Sequence, residues 1–158
     1  MRLLLLATLP ALLIAFRPFM GGEPPEDLTQ DKTTFKEFAT FYVKLFEDMM
    51  KTKTAETFQA HINYIDVQMM FNECNAPQYE NLAMYIHWLR QFVAYHDDPI
   101  IKIMDLRGDN EKGEMLLNVD VQAQYKYRQN FDMKISALND DGIGWKVLFV
   151  DRSIGCHK

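Results

Sequence analysis

The sequence predicts a single α+β domain in which three N-terminal helices pack on a curved antiparallel sheet. Much of residues 33–95 has apolar positions at spacings of three and four, which is typical of amphipathic helices. Residues 100–151 instead alternate apolar and polar positions, which is typical of strands that bury one face. A run of helices followed by a run of strands indicates the α+β class.

The first helix is predicted to begin after Thr34 and to end near Lys51–Lys53. Thr34 and Glu37 form a capping-box pattern, and positive charge at the other end complements the helix dipole. The apolar stripe that predicts this helix consists of Phe35, Phe38, Tyr42, Leu45 and Met49.

The middle of the chain predicts two more helices and a short strand. Thr54 caps a helix that reaches about His61, residues 62–72 form a strand, and residues 78–95 form the third helix. Asp97-Asp98-Pro99 is expected to stop that helix, because the residue before a proline disfavours helical geometry. His61 and His96 lie near helix ends, where a histidine complements the dipole.

Four longer strands complete the predicted sheet. The first covers residues 100–107, and the second alternates from Met115 to Tyr127. A turn at residues 128–130 leads to a third strand over 131–137, and the Asp141-Gly142 pair favours a hairpin. The last strand is expected to direct its apolar side chains to one face, namely Trp145, Val147 and Phe149.

Residues 1–22 are predicted to be a secretory signal peptide. Arg2 supplies a positive start, and Leu3–Phe16 follow without a charged residue. This apolar run is shorter than the roughly 20 residues that cross a bilayer as a helix, and it matches the core of a signal peptide. We therefore expect secretion, a flexible segment over residues 23–32 and one domain over residues 33–158. An uncleaved hydrophobic anchor is the alternative.

Composition excludes some partners and suggests a disulfide. The net charge is −5, and it becomes −7 once residues 1–22 and their two arginines are removed. An acidic chain without a Lys/Arg cluster gives no basis for binding nucleic acid or an anionic membrane surface. Cys74 and Cys156 predict a disulfide in an oxidising compartment, with two separate thiols as the alternative. The spacing of Cys and His fits no metal site, and no cofactor is expected.

The order of these elements resembles the nuclear transport factor 2-like superfamily. The resemblance lies in the helices FKEFATFYVKLFEDMM, TAETFQAHI and YENLAMYIHWLRQF and in the terminal strands, over roughly residues 33–154. It extends to secreted members of nematode type without an assigned activity, and it implies a cone-shaped fold, often with a pocket. The cystatin fold ends in similar strands but has fewer helices. Members of the superfamily include ketosteroid isomerases and dehydratases as well as binding modules, so the fold leaves function open.

The resemblance to the isomerases also implies candidate catalytic residues. A helix tyrosine and an aspartate base correspond here to Tyr42 and Asp66. The acidic third member is missing, because the alternation of the matching strand places Asp120 on its polar face. His87, beside the apolar stripe of the third helix, is a further candidate base. The structural alternatives are a tyrosine hydroxyl at the rim of the core, a solvated carboxylate and a boundary histidine.

We therefore expect a secreted, non-enzymatic binding domain. Its partner would be a small apolar ligand inside the cone, or a second copy of the chain through the polar outer face of the sheet (Asn118, Asp120, Gln122, Gln124 and Lys126). An isomerase or lyase that uses Asp66 as base and Tyr42 as hydrogen-bond donor is the alternative. A cystatin-like inhibitor, for which the Gln-Val-x-Val-Gly loop is lacking, ranks third. The candidates for lining the ligand pocket are Tyr42, Tyr85, Val121, Tyr125, Phe131 and Trp145.

Overall fold

The structure is a computed structural model that describes residues 33–73, 81–124, 127–140 and 143–152. The predicted signal peptide, the segment 23–32 and both cysteines lie outside the described residues. In chain order the described elements are α1 (Phe35–Thr52), α2 (Ala55–Ile62), β1 (Ile65–Asn72), α3 (Leu82–Tyr95), β2 (His96–Gly108), β3 (Lys112–Ala123), β4 (Arg128–Asp140) and β5 (Gly144–Asp151). The predicted helices and strands are therefore all present.

Helix α1 begins and ends where its capping residues predict. The Thr34 hydroxyl oxygen accepts from the Glu37 N–H at 3.3 Å, and the Glu37 carboxylate accepts from the Thr34 N–H at 2.9 Å. These two bonds form the predicted capping box. At the other end Lys53 adopts a left-handed conformation with φ of 55°, and its N–H donates to the Met49 carbonyl.

Helix α3 starts later than predicted and ends at the predicted residue, but the residues expected to stop it do not do so. It starts at Leu82, where the Asn81 side chain accepts from the Met84 N–H at 2.9 Å. It stops at Tyr95, and β2 follows at once from His96. The predicted stop Asp97-Asp98-Pro99 therefore lies inside a strand, where the pairing with β3 shifts register and Asp98 has a φ of 47°. The proline is accommodated at this irregularity, as expected for a residue that cannot donate to the ladder.

The sheet has the strand order β1-β5-β4-β3-β2 and is mixed rather than purely antiparallel. Strands β2 to β5 form the predicted antiparallel meander. Strand β1 corrects the prediction, because it pairs parallel to β5 at the edge of the sheet. The two strands are far apart in the chain, and such a pairing leaves no local sequence pattern.

The inner face of the central strands is apolar, as their alternation predicts. The side chains of Met115, Leu117, Val119 and Val121 on β3 are buried, as are those of Phe131, Met133 and Ile135 on β4. The predicted turn at residues 128–130 was wrong, because Arg128 already pairs with Gln122 across the hairpin. Polar residues within a half-exposed strand were misinterpreted as a turn.

Strand β5 contains an irregularity that reverses its alternation. Ala137 of β4 pairs with Val147 while the adjacent Ser136 pairs with Phe149, so Leu148 is an extra residue on β5. Trp145 and Val147 are buried as predicted, but Phe149 is only half-buried and Val150 takes the inward position. The prediction that Phe149 faces inward was wrong because a β-bulge shifts the period of two.

The helices pack on the inner face of the sheet through aromatic side chains. The rings of Phe38 and Trp145 are stacked with centroids 5.5 Å apart, and those of Phe92 and Phe131 meet edge to face at 5.7 Å. The start of β3 must carry a glycine here, because a Cβ atom on Gly113 would lie 2.3 Å from the Phe35 ring. The core thus extends from α1 across the whole inner face.

Candidate functional site

Two tyrosines and a histidine meet inside the core. Tyr42 on α1, His61 on α2 and Tyr85 on α3 are all buried. Nε2 of His61 lies 3.2 Å from the Tyr42 hydroxyl and 3.4 Å from the Tyr85 hydroxyl. The two hydroxyls are also within hydrogen-bonding reach of each other. The histidine therefore links all three helices beneath the sheet.

Burial controls the electrostatics of this cluster. Removal from water lowers the pKa of His61 to about 3, because the charged imidazolium loses its solvation. Burial, followed by the proximity of Tyr85, raises the pKa of Tyr42, and burial raises that of Tyr85. Nδ1 of His61 is buried and has no hydrogen-bond partner within the described ranges. All three groups are therefore neutral at physiological pH.

The sequence analysis assigned His61 a different role. A neutral, fully buried imidazole does not complement the dipole of α2, so that interpretation was wrong. The spacing Phe58-His61-Ile62 places His61 on the apolar stripe of α2, and this spacing is the signal that could have located it. His96 behaves as expected, since its Nδ1 lies 2.8 Å from the Phe92 carbonyl in the last turn of α3.

The residues proposed for catalysis are not brought together. Tyr42 bonds to His61 inside the core, whereas the Asp66 carboxylate lies in a surface groove and accepts from the Gln68 N–H at 2.7 Å. His87 is exposed on α3, where its Nε2 lies 3.2 Å from the Gln91 side-chain nitrogen. The three candidates thus occupy three separate environments.

The residues proposed to line a ligand pocket do face the interior, and they fill it. Tyr42, Tyr85, Val121, Phe131 and Trp145 are buried, and each belongs to the same hydrophobic cluster. Tyr125, the sixth candidate, lies outside the described residues. Within the described residues, the aromatic members pack ring against ring with side chains of the helices and of β1.

Two adjacent grooves lie on the outer face of the sheet. One has a volume of about 490 Å³ and runs between the β2–β3 hairpin, β4 and β5, and the other, of about 170 Å³, runs between β1, β4 and β5. Leu138 and Leu148 line both grooves. Leu138 is 40% exposed, and Val67 and Ile143 in the smaller groove are 73% and 55% exposed. An aliphatic surface therefore lies where the sequence predicted a polar one.

The outer side chains of β3 and β4 around Asn118 are polar, as predicted, and they bond to one another. Asn118 and Asn130 exchange two hydrogen bonds of 2.9 and 3.0 Å across the β3–β4 pair. Arg128 forms ion pairs with Asp120 at 2.7 Å and with Asp98 at 2.9 Å. Gln124 is exposed just after β3, and Lys126 lies outside the described residues. Arg128 therefore lies between two carboxylates on this half of the face.

Neither a metal site nor a membrane span is found in the described ranges. No group of three or more His, Cys, Asp and Glu side chains there is arranged to hold a metal ion. No helix in the same ranges has both the length and the apolar character required to cross a bilayer. That the protein uses no cofactor stays a prediction.

Comparison with known families identifies the chain. Residues 26–156 match the family described as Domain of unknown function (DUF5390). The chain belongs to the DUF5390 family. One relative of this DUF5390 chain is the uncharacterized protein F22B7.3 of Caenorhabditis elegans, which is 61% identical over 98 residues, or 62% of this chain and 99% of the relative. A second, uncharacterized protein C28H8.2 of the same organism, is 24% identical over 82% of this chain and 79% of its own length.

Solved structures show that this DUF5390 domain has the nuclear transport factor 2-like fold. A domain of unknown function with a cystatin-like fold from Nostoc punctiforme superposes with a TM-score of 0.62 at 10% identity, covering 79% of this chain and 81% of that one. An NTF2-like protein of unknown function from Exiguobacterium has a TM-score of 0.56 at 15% identity, covering 72% and 94%. A putative SnoaL-like polyketide cyclase from Shewanella putrefaciens has a TM-score of 0.56 at 12% identity, covering 75% and 78%. These identities support a common fold and no common activity.

Proposed function

We propose that this chain is a secreted, non-enzymatic binding domain that pairs with a second copy of itself through the outer face of its sheet. The observation that carries the proposal is the pair of outer grooves, whose shared floor consists of Leu138 and Leu148. A contiguous apolar surface with a polar rim is characteristic of a protein interface. The filled interior favours this surface over a ligand held inside the cone.

The charges around the grooves favour a second copy as the partner. Arg107 pairs with Asp105 at 2.7 Å, and Lys134 pairs with Glu114 at 2.9 Å, so cations and anions are interspersed. Two identical faces that meet about a twofold axis bring each patch against itself. A face of one sign would then repel its copy, whereas a mixed face with an aliphatic centre does not.

The buried cluster supports a binding role over a catalytic one. A general base must titrate near the working pH and must reach its substrate. His61 is fully buried with a pKa of about 3, and Asp66 lies in a surface groove away from the Tyr42–His61 hydrogen bond. The alternative of an isomerase or lyase needs Asp66 and Tyr42 in one cavity, and no observed contact joins them.

The ends of β1 and β5 support the disulfide and, with it, secretion. The parallel pairing aligns Asn72 with Asp151, and the Arg152 N–H donates to the Asn72 carbonyl at 2.9 Å. Cys74 is two residues beyond Asn72, and Cys156 is four residues beyond Arg152. Four residues can span at most about 14 Å, which is ample to bring two cysteines to the roughly 6 Å separation of a disulfide.

A disulfide between Cys74 and Cys156 is expected in the protein released by expressing cells. Intact mass spectrometry without reductant should give a chain that has lost residues 1–22 and whose mass is lower by two hydrogens than that of the dithiol. Iodoacetamide should modify both cysteines only after reduction. Alkylation of either thiol without reductant would contradict the disulfide, and retention of residues 1–22 would contradict signal-peptide cleavage.

Leu138→Lys is expected to convert a dimer into a monomer. It places a charge at the centre of the proposed interface, so the dissociation constant should rise by about 10- to 100-fold, the effect of losing a central contact. Sedimentation velocity over a concentration series measures this change. Leu138 is 40% exposed in the free chain, so the substitution should leave the domain folded, and a loss of dimer then reports on the interface.

The matched control is Met84→Lys on α3. Met84 is 41% exposed, nearly the same as Leu138, but it lies on the helical side of the domain. The Met84→Lys chain should dimerise with the same dissociation constant as the natural chain. A natural chain that stays monomeric at about 100 μM, a concentration well above the Kd of specific interfaces, overturns the proposal. Equal weakening of the dimer by Leu138→Lys and Met84→Lys also overturns the proposal.

A further inference from the structure

A third groove lies between the helices, on the side of the domain opposite the outer sheet face. It has a volume of about 440 Å³ and runs between the end of α1, the first turns of α2 and the second half of α3. Met49 and Val93 at its base are buried, and Phe58 is half-buried against the core. Its size falls within the range of sites for small molecules, about 300–1,000 Å³.

The charged residues that line this groove are cations. Lys53 and Arg90 both line it, and no acidic residue does. The Lys53 ammonium is paired with the Asp97 carboxylate at 2.5 Å. Arg90 forms no ion pair within the described ranges, and its guanidinium lies over the Phe58 ring, 5.7 Å from the ring centroid. In a chain of net charge −5, an unpaired arginine beside an apolar base is the distinctive feature of this site.

We propose that this groove binds an aliphatic monocarboxylic acid. The alkyl chain lies on Met49, Phe58 and Val93, and the carboxylate accepts two hydrogen bonds from the Arg90 guanidinium. The planar fork of arginine matches a carboxylate in this way, and Arg90, the cation of this groove without an ion pair among the described residues, matches a single negative charge. The Glu56 carboxylate already accepts from its own backbone N–H and from the Thr54 side chain, so the ligand head is assigned to Arg90 and not to the start of α2.

Titration calorimetry with four probes tests the assignment. The protein is produced from its full-length sequence in secreting eukaryotic cells. Octanoate should bind. Octanol lacks the charge and acetate lacks the alkyl chain, so each should bind at least about tenfold more weakly than octanoate. Charge-assisted hydrogen bonds and apolar burial are both needed for binding. Octanol binding as tightly as octanoate overturns the proposal, and so does tighter binding of octyl phosphate.

Matched variants locate the site. Arg90→Gln should weaken octanoate binding about tenfold, the usual effect of losing a hydrogen-bonded charge. Arg107→Gln makes the same change of charge on the outer sheet face and should leave the affinity unchanged. Ala94→Phe, at an exposed position of the groove wall, should abolish binding by filling the groove. Equal effects of the two arginine substitutions, or unchanged affinity in Ala94→Phe, overturn the assignment.

The inference is independent of the proposed self-association. Leu138→Lys acts on the opposite face and should leave octanoate binding unchanged, whatever it does to the dimer. Failure of one proposal can thus be recognised without reference to the other.

Discussion

Acidification from about pH 7.5 to about pH 4.5 is expected to lower the free energy of unfolding by about 3 kcal/mol through His61 alone. The imidazole is fully buried between Tyr42 and Tyr85, and no described carboxylate bonds to it. Its protonated form would therefore be an uncompensated charge in the core.

The sign of this pH effect follows from the pKa of His61 in the folded and in the unfolded chain. Burial lowers the pKa of His61 from its ordinary 6.5 to about 3 in the folded state. Between these values the unfolded chain binds a proton that the folded chain does not bind. The contribution of neutral His61 to the free energy of unfolding is therefore fully present above pH 6.5, and it is lost progressively as the pH falls toward 3.

Urea unfolding at a series of pH values measures the effect. The range above about pH 4.5 separates it from the carboxylates, which titrate mainly below that value. Protein concentration is held constant, because association makes apparent stability concentration-dependent.

His61→Phe removes the titrating group while keeping a ring against Tyr42 and Phe46, whose centroids lie 4.8 and 5.3 Å from the imidazole. The variant should lose most of the pH dependence in this range, and the two tyrosine hydroxyls can then bond to each other. Exposed His87→Gln is the control and should retain the natural profile. A natural chain with a flat profile, or a His61→Phe chain with an unchanged slope, contradicts the buried neutral histidine.

Local features of the fold were predictable because their causes are local. The Thr34–Glu37 capping box and the Thr54 cap each involve residues three apart, and they define the starts of α1 and α2. Strict alternation from Met115 to Val121 identifies the inner face of β3 without any knowledge of its neighbours. In each case the interacting groups lie within one turn of helix or along one strand.

Features that depend on distant pairings were not predictable. The parallel pairing of β1 with β5 joins residues such as Asn72 and Asp151, and the bulge at Leu148 exists only relative to β4. The extra residue of this bulge, Leu148, lines both outer grooves that carry the proposed function. The burial of His61 could be inferred from the apolar stripe of its own helix, but its hydrogen bonds could not, because the partners Tyr42 and Tyr85 come from two other helices.

Trp145→Ala is expected to lower the free energy of unfolding by about 3–5 kcal/mol, as a large-to-small substitution in a packed core. Trp145 on β5 is almost fully buried, stacks on Phe38 and lies 5.1 Å from the Phe35 ring centroid. Its indole N–H donates to the Thr33 carbonyl at 2.8 Å, next to the cap of α1. The side chain therefore attaches the first helix to the sheet.

Trp145→Phe separates the contribution of the Trp145 side chain to the free energy of unfolding into a part from packing and a part from hydrogen bonding. It retains a ring against Phe38 and leaves the Thr33 carbonyl without its donor, so about 1–2 kcal/mol should be lost. Tyr127→Ala removes an exposed aromatic side chain and should change stability by less than about 0.5 kcal/mol. Urea unfolding at neutral pH measures all three.

The size of the Trp145→Ala effect also distinguishes a filled interior from a ligand pocket. Trp145 was a candidate for lining such a pocket, and a side chain that faces an open space makes fewer contacts to lose. A loss of less than about 2 kcal/mol in the free energy of unfolding would indicate that the ring is not closely packed, because truncating a well-packed aromatic residue lowers stability by more. The interior of the cone would then again be a candidate binding site. A cost in the expected range indicates that the aromatic side chains fill the interior, which leaves the outer sheet face and the groove beside Arg90 as the surfaces for binding.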